Sequence, residues 1–419
     1  MKKRYGVLLL LIALAIITFL DRISISVAGT RIQQELTITP ERWGWVLGAF
    51  VLAYGLFEVP TGAMGDRGGQ RSVLMRIVLW WSAFTALTGL ARTFPVMLIT
   101  RFLFGMGEAG AYPNIAGALG RWFPTAERAR TQGFIWAASR LGGALAPLIV
   151  VPLQSSIGWR ATFGVLGVLG ALWAVCWHNW YHDRPADQPG ITPLELAEIE
   201  TGANPGSGPA GHTRVPWRQL LSKGQLWLIF AMYFFQAFGS WFYFGWFPVY
   251  LVKGAGFTER EMGLFTALPF LMGAAGNLAG GFLSDAMVAK VGLKAGRRLM
   301  GCTGLLGEAV LLTSMTLTRD HTAIVVLSSI GFGIADLMLP TAWAVCLDIG
   351  GRRAGVVTGV MNSAGQLGGF VCSVLFGYLV KATRNYQQPV WIVAAMVLIA
   401  AVLFTRIDPT KPLERTAAA

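Results

Sequence analysis

Polar residues along this chain come mostly in short bursts between apolar runs of about 20 residues, the length a helix needs to cross the hydrocarbon core of a bilayer. The runs fall near 5–28, 43–64, 73–92, 95–119, 131–153, 159–180, 225–250, 262–284, 298–317, 322–347, 354–380 and 388–406. None shows the two-residue alternation of a barrel strand. The pattern predicts an all-α membrane protein of twelve transmembrane helices. Its longest polar interruption predicts two pseudo-symmetric six-helix halves, 1–180 and 225–407, joined by a linker at 181–224 and followed by a tail at 408–419. Within the linker, 191–200 reads as a short helix with Thr192 as cap, Pro193 in the first turn and Glu195 closing a capping box. A Gly/Pro/Ser-rich stretch follows at 202–211, and Val215-Pro216-Trp217 then leads to an interfacial Leu220-Leu221.

Composition agrees with the pattern. Only 13% of residues are charged and 54% are hydrophobic, against roughly 25% charged in soluble domains. The 52 glycines suit close helix packing in lipid. A net charge of +13 raises the question of nucleic acid, but most Lys and Arg residues lie in alternate connections. That bias places both termini in the cytoplasm and argues for no nucleic-acid partner. Cys176, Cys302, Cys346 and Cys372 all fall in apolar runs without paired spacing, so they read as buried thiols, with neither disulfide nor zinc indicated. His178, His182, His212 and His321 lack metal-ligand spacing. Lys2-Lys3-Arg4 before an apolar run could mark a secretory leader; the eleven further spans make it a retained first helix. Compact loops and the lack of an organelle signal favour a bacterial inner membrane, with the chain acting as a monomer.

Two stretches echo each other. Gly62-x-x-x-Asp66-Arg67-Gly68-Gly69-Gln70-Arg71 follows the second span. Gly280-Gly281-Phe282-Leu283-Ser284-Asp285 follows the eighth, with Lys290, Gly292, Arg297 and Arg298 beyond it. Such recurrence predicts internal duplication around a central site. The first motif, with two six-span halves, resembles the major facilitator superfamily. That resemblance implies alternating access, with a cytoplasmic gate built from Gly62, Asp66, Arg67, Arg71 and Asp285, joined by Glu58. A narrower resemblance is to the anion:cation symporter family. It rests on Phe19-Leu20-Asp21-Arg22, on the stretch from Arg101 through Glu108 to Pro113-Asn114, and on Trp122-Phe123-Pro124 with Glu127-Arg128. The linker adds Asp183-Arg184-Pro185 and Val215-Pro216-Trp217. This resemblance implies proton-coupled symport of a small organic anion, above all a sugar acid such as a hexuronate, aldonate or aldarate.

The charges inside the spans carry the chemistry. Each costs about 2.5–3.5 kcal/mol on insertion scales, so those retained pair with one another or line a cavity. Asp21 and Arg22 share the first span, while Arg101 and Glu108 lie two turns apart on one face of the fourth. An arginine offers a permanent charge and a planar donor fork to a carboxylate. By the resemblance, Asp21 and Glu108 handle the proton, Arg22 binds the substrate carboxylate and Arg101 couples the two. The plain alternative is a structural ion pair between helices. Tyr54, Trp343, Asn362 and Gln366 are candidates for substrate hydroxyls, with core packing or helix–helix hydrogen bonding as their alternative.

Departures weaken transfer of any one substrate. Phe19 stands where sugar-acid carriers often have tyrosine, and Glu58 where glutamine is common. Arg140, Glu308 and Asp336 have no assigned role. Competing readings are a drug or solute antiporter, which Gly142-Gly143 and Pro147 partly imitate, an uncoupled facilitator, and a receptor that keeps a transporter fold. An enzyme is not expected, because the spans hold no nucleophile–base pair or metal cluster. No cofactor is expected beyond the coupling proton.

Overall fold

The computed structural model describes residues 2–201, 220–350 and 354–411. The chain divides into two compact units, one of residues 1–24 and 52–215, the other of residues 25–51 and 216–419. The Gly/Pro/Ser-rich stretch, Val215-Pro216-Trp217 and the end of the tail lie outside the described residues.

The helices are α1 (Lys3–Val27), α2 (Gly29–Glu35), α3 (Pro40–Gly68), α4 (Gln70–Leu90), α5 (Phe94–Glu108), α6 (Ala111–Trp122), α7 (Thr125–Ser156) and α8 (Gly158–Trp180). The linker contributes α9 (Pro193–Thr201). Then come α10 (Gly224–Gly254), α11 (Glu259–Val291), α12 (Leu293–Leu317), α13 (His321–Gly350), α14 (Ala354–Thr383) and α15 (Gln388–Phe404). Among the described residues, 10 helices are long and apolar enough to cross a membrane, and α15 is a shorter apolar one. The remaining predicted span, the fourth, is the pair α5 and α6.

That break has a local cause. Pro113 brings no N–H and its ring crowds the carbonyl four residues back, at Ala109. The chain turns at Ala109-Gly110, and the Gly110 carbonyl accepts both the Asn114 backbone N–H at 3.3 Å and its side-chain amide at 2.7 Å. The same amide reaches the Thr61 carbonyl of α3 at 3.2 Å. Gly65 makes room for it, since a Cβ there would stand 1.6 Å from Asn114 Oδ1.

The Gly62–Gly68 motif that follows the second predicted span is itself helical: α3 runs to Gly68, and only Gly69, at φ 76°, turns the chain into α4. Asp183 of the linker, not a motif residue, caps α4: its Oδ1 accepts the Gln70 and Arg71 N–H groups at 2.7 and 3.2 Å. In α9, Thr192 Oγ1 accepts the Glu195 N–H at 3.2 Å as expected. The Glu195 carboxylate, however, serves another helix, accepting the N–H groups of Lys3 and Arg4 at 3.0 and 2.9 Å. A carboxylate at a helix N-terminus satisfies orphan donors and favours the dipole, so linker acids cap both α1 and α4.

In the second unit α10 is not a plain α-helix. It widens to π-helix at Phe242–Trp246 and Tyr250–Gly254. Pro248 withdraws a donor from the Phe244 carbonyl, and the Ser26 hydroxyl takes its place at 2.8 Å. Residues 25–51 belong to this unit, held by Arg31–Glu259 at 2.6 Å and Lys381–Glu41 at 2.8 Å. The cysteine reading is also corrected: Cys346 and Cys372 are buried, Cys302 is half-buried and Cys176 is exposed on α8.

Candidate functional site

The first unit gathers the charges of α1 and α5. Arg22 donates through Nε and Nη2 to a single oxygen of Glu108, the Nε contact at 2.8 Å. Glu108 is 0% exposed and Arg22 9%. The second Glu108 oxygen, Oε2, is buried with no hydrogen-bond partner. Two rings wall the guanidinium, Phe19 at 4.8 Å and Tyr54 at 4.9 Å from its carbon to their centroids. Tyr54 thus serves as a cation–π wall, and Phe19 does the same without a hydroxyl.

Asp21 and Arg101 are each buried to 1% exposure. Arg101 packs over Phe104 at 4.2 Å and interacts electrostatically with Glu108, Asp21 and Arg22. Trp81 and Thr85 of α4 are the polar neighbours of Asp21, yet neither of its carboxylate oxygens has a hydrogen-bond partner. The four predicted charges form one cluster of balanced sign. Glu108 is the last residue of α5, so the acid sits at the joint where the fourth span breaks.

Some participants escaped the sequence. Tyr112, in the first turn of α6, interacts electrostatically with Arg22. Its hydroxyl hydrogen-bonds Ser139 at 2.7 Å, and its ring stacks on Trp136 at 5.0 Å. Arg140, beside Ser139, acts on the same tyrosine. A polar face on α7 thereby joins the cluster. The one available signal was Ser139-Arg140 inside an otherwise apolar run.

The remaining candidates are placed as follows. Glu58 lies one turn along α3 from Tyr54 and acts on it electrostatically. Gly62 packs against Pro113, where a Cβ would meet its ring carbon at 3.0 Å. The Asp66 side chain lies outside the described residues, and Arg67 is exposed. Arg71 donates to the His178 carbonyl at 2.8 Å. In the second unit, Arg297 joins Ser284 at 2.7 Å with Asp285 and Asp348, each at 3.2 Å; Asp348 was not foreseen. Trp343 is half-buried on α13, and Asn362 and Gln366 are half-buried one turn apart on α14.

The structure thus has membrane-length helices in two units, with balanced charges buried inside one of them, and comparison with solved structures identifies the fold. A bacterial homologue of the human lysosomal transporter Spinster superposes with a TM-score of 0.79 at 20% identity, over 97% of both chains. A D-xylose–proton symporter gives 0.75 at 15% identity, over 98% of this chain and 99% of that one. The model of the Major Facilitator Superfamily matches residues 10–373 and 288–419. The chain belongs to that superfamily and is a multi-pass membrane transporter. Its relatives include the probable sulfoacetate transporter SauU of Cupriavidus necator, 34% identical over 410 residues, 97% of this chain and 94% of that protein. The probable galactarate/D-glucarate transporter GarP of Escherichia coli is 31% identical over 423 residues, 96% of this chain and 94% of that protein.

Proposed function

We propose that this protein is a secondary transporter that carries a small organic anion together with a proton by alternating access, in a bacterial inner membrane. The observation that carries the proposal is the Arg22–Glu108 contact beside the buried Asp21 and Arg101. Arg22 keeps its charge throughout and is walled by the Phe19 and Tyr54 rings, which suits it to hold a substrate carboxylate. Protonation of Glu108 removes the charge that holds the guanidinium and frees it for substrate. Asp21 exchanges the proton onward, with Arg101 between the two acids. By the family resemblance, Trp343, Asn362 and Gln366 of the second unit are candidate substrate contacts, and Asp66, Arg67, Arg71 and Asp285 are candidates for the cytoplasmic gate.

A sugar acid is the substrate class favoured by relatives named for galactarate, glucarate, hexuronate and galactonate. A second reading is a short sulfonate or carboxylate dianion. It is favoured by Phe19, which offers Arg22 a ring face but no hydroxyl, and by the sulfoacetate relative.

Reconstituted vesicles test both parts. Uptake of labelled glucarate or sulfoacetate accelerates under an imposed pH gradient and is abolished by Arg22→Ala. Uptake indifferent to the gradient refutes coupling; undiminished uptake by Arg22→Ala refutes the site. Competition between the two anions decides the class.

A further inference from the structure

A second acid is buried far along the sequence from this cluster. Glu308, midway along α12, is 0% exposed, and neither of its carboxylate oxygens has a hydrogen-bond partner. It forms no ion pair among the described residues. Its carboxyl lies directly on the backbone of α10: a Cβ on Gly239 would stand 2.2 Å from Oε1 and 3.0 Å from Oε2. Gly239 is three residues before the first π-helical segment of α10. Tyr243, inside that segment, interacts with Glu308 electrostatically while its hydroxyl donates to the Ser328 carbonyl at 3.0 Å. Asp336 of α13 is the charged neighbour. Of the other helices packed on α12, α15 contains no titratable group and α11 has acids and bases only near its two ends.

An ionised carboxylate here would face apolar packing, a glycine backbone and another acid. Burying an uncompensated charge costs several kcal/mol, and such groups are neutralised instead. A hard metal cation would need about six oxygen ligands. Among the described residues, Asp336 and Tyr243 are the titratable side chains that act on Glu308, and the Tyr243 hydroxyl is engaged.

We propose that Glu308, next to Asp336, is a proton-binding site in the second unit whose loading sets the geometry of α10 at its π-helical segment. With the proton in place, the carboxyl packs as a neutral group against Gly239. With the proton gone, a bare charge pressed on the Gly239 backbone draws in water and moves α10 away from α12. π-Helical turns concentrate at functional sites, and this one lies where such a displacement would be absorbed. The site is independent of the substrate and of the role proposed for Asp21 and Glu108.

Infrared spectroscopy of the purified full chain at neutral pH tests it. The protonated-carboxyl C=O band contains a component that is lost in Glu308→Gln and retained in Asp21→Asn/Glu108→Gln. Hydrogen exchange across residues 239–246 rises as the pH is raised until that component disappears. Gly239→Ala, which drives a methyl group into the carboxyl, shifts its frequency and serves if Glu308→Gln folds poorly. A band unchanged in Glu308→Gln, or unshifted in Gly239→Ala, overturns the proposal. So does a component abolished by sodium at constant pH, which would make the site a cation site, or exchange across 239–246 that ignores its loss.

Discussion

Arg22, Glu108, Asp21 and Arg101 form a cluster of zero net charge, so removing one member is predicted to cost more than removing a matched pair. Arg22→Met keeps a long apolar side chain between Phe19 and Tyr54, where sulfur also packs favourably on rings. It leaves Glu108, fully buried, without the guanidinium that serves its Oε1. Breaking a buried pair from one side costs about 3–5 kcal/mol. For a unit of 150–250 residues each kcal/mol is worth about 2–4 °C, so the melting temperature falls by about 6–20 °C. Glu108→Leu alone falls comparably, because it strands Arg22 beside Arg101. The double variant Arg22→Met/Glu108→Leu leaves Asp21 and Arg101 as a balanced pair, and apolar replacement of a whole buried pair is often neutral. It therefore recovers more than half of either loss while remaining inactive in transport. Scanning fluorimetry of the four detergent-purified proteins measures the cycle. A double variant as unstable as the sum of the singles refutes the reasoning, because the pair would then carry no coupling energy.

Three further outcomes are expected. Gly65→Ala pushes a methyl group onto Asn114 Oδ1 and disturbs the amide covering the break between α5 and α6; it destabilises by about 1–3 kcal/mol, and the addition of Asn114→Ala restores part of the melting temperature. Asp183→Ala removes the cap on α4 and costs about 0.5–2 kcal/mol, with Asp183→Asn milder in the same melting assay. Lys294, 2.8 Å away, and the Thr410 hydroxyl hold the Asp408 carboxyl below the usual carboxylate range. A depressed folded value gives stability that is complete above the unfolded value, about 3.9, and is lost as pH falls through the folded one. The melting difference between wild type and Asp408→Asn is therefore flat from about pH 8 to about pH 5 and shrinks below about pH 4.

The spans were legible because lipid imposes one rule on every residue of a crossing segment: apolar outside, backbone satisfied within. The charge cluster was legible for the same reason, since Asp21, Arg22, Arg101 and Glu108 each break that rule. Local breaks were encoded as well. Pro113 accounts for the joint at Ala109-Gly110, and Pro248 for the widened turn of α10, although the sequence pattern drew both spans as unbroken. Long-range capping was not legible. Nothing near Asp183 or Glu195 in sequence says that their carboxylates meet the N-termini of α4 and α1, 113 and 192 residues away. Tyr112 was missed because an aromatic residue at a helix start is ordinary until its neighbour across the bundle, Ser139, is known.

The single-oxygen contact between Arg22 and Glu108 has a consequence for how tightly this protein binds anything. The proposed anion must displace a ligand already on the guanidinium, tethered to the same unit and unable to diffuse away. Glu108 is then a built-in competitive inhibitor, and apparent affinity is the intrinsic affinity multiplied by the fraction of time it leaves the guanidinium free. Acidity relieves the inhibition without altering any contact to the substrate. The concentration for half-maximal uptake should therefore fall as the medium is acidified, while Glu108→Gln should bind anion more tightly than wild type and release it more slowly.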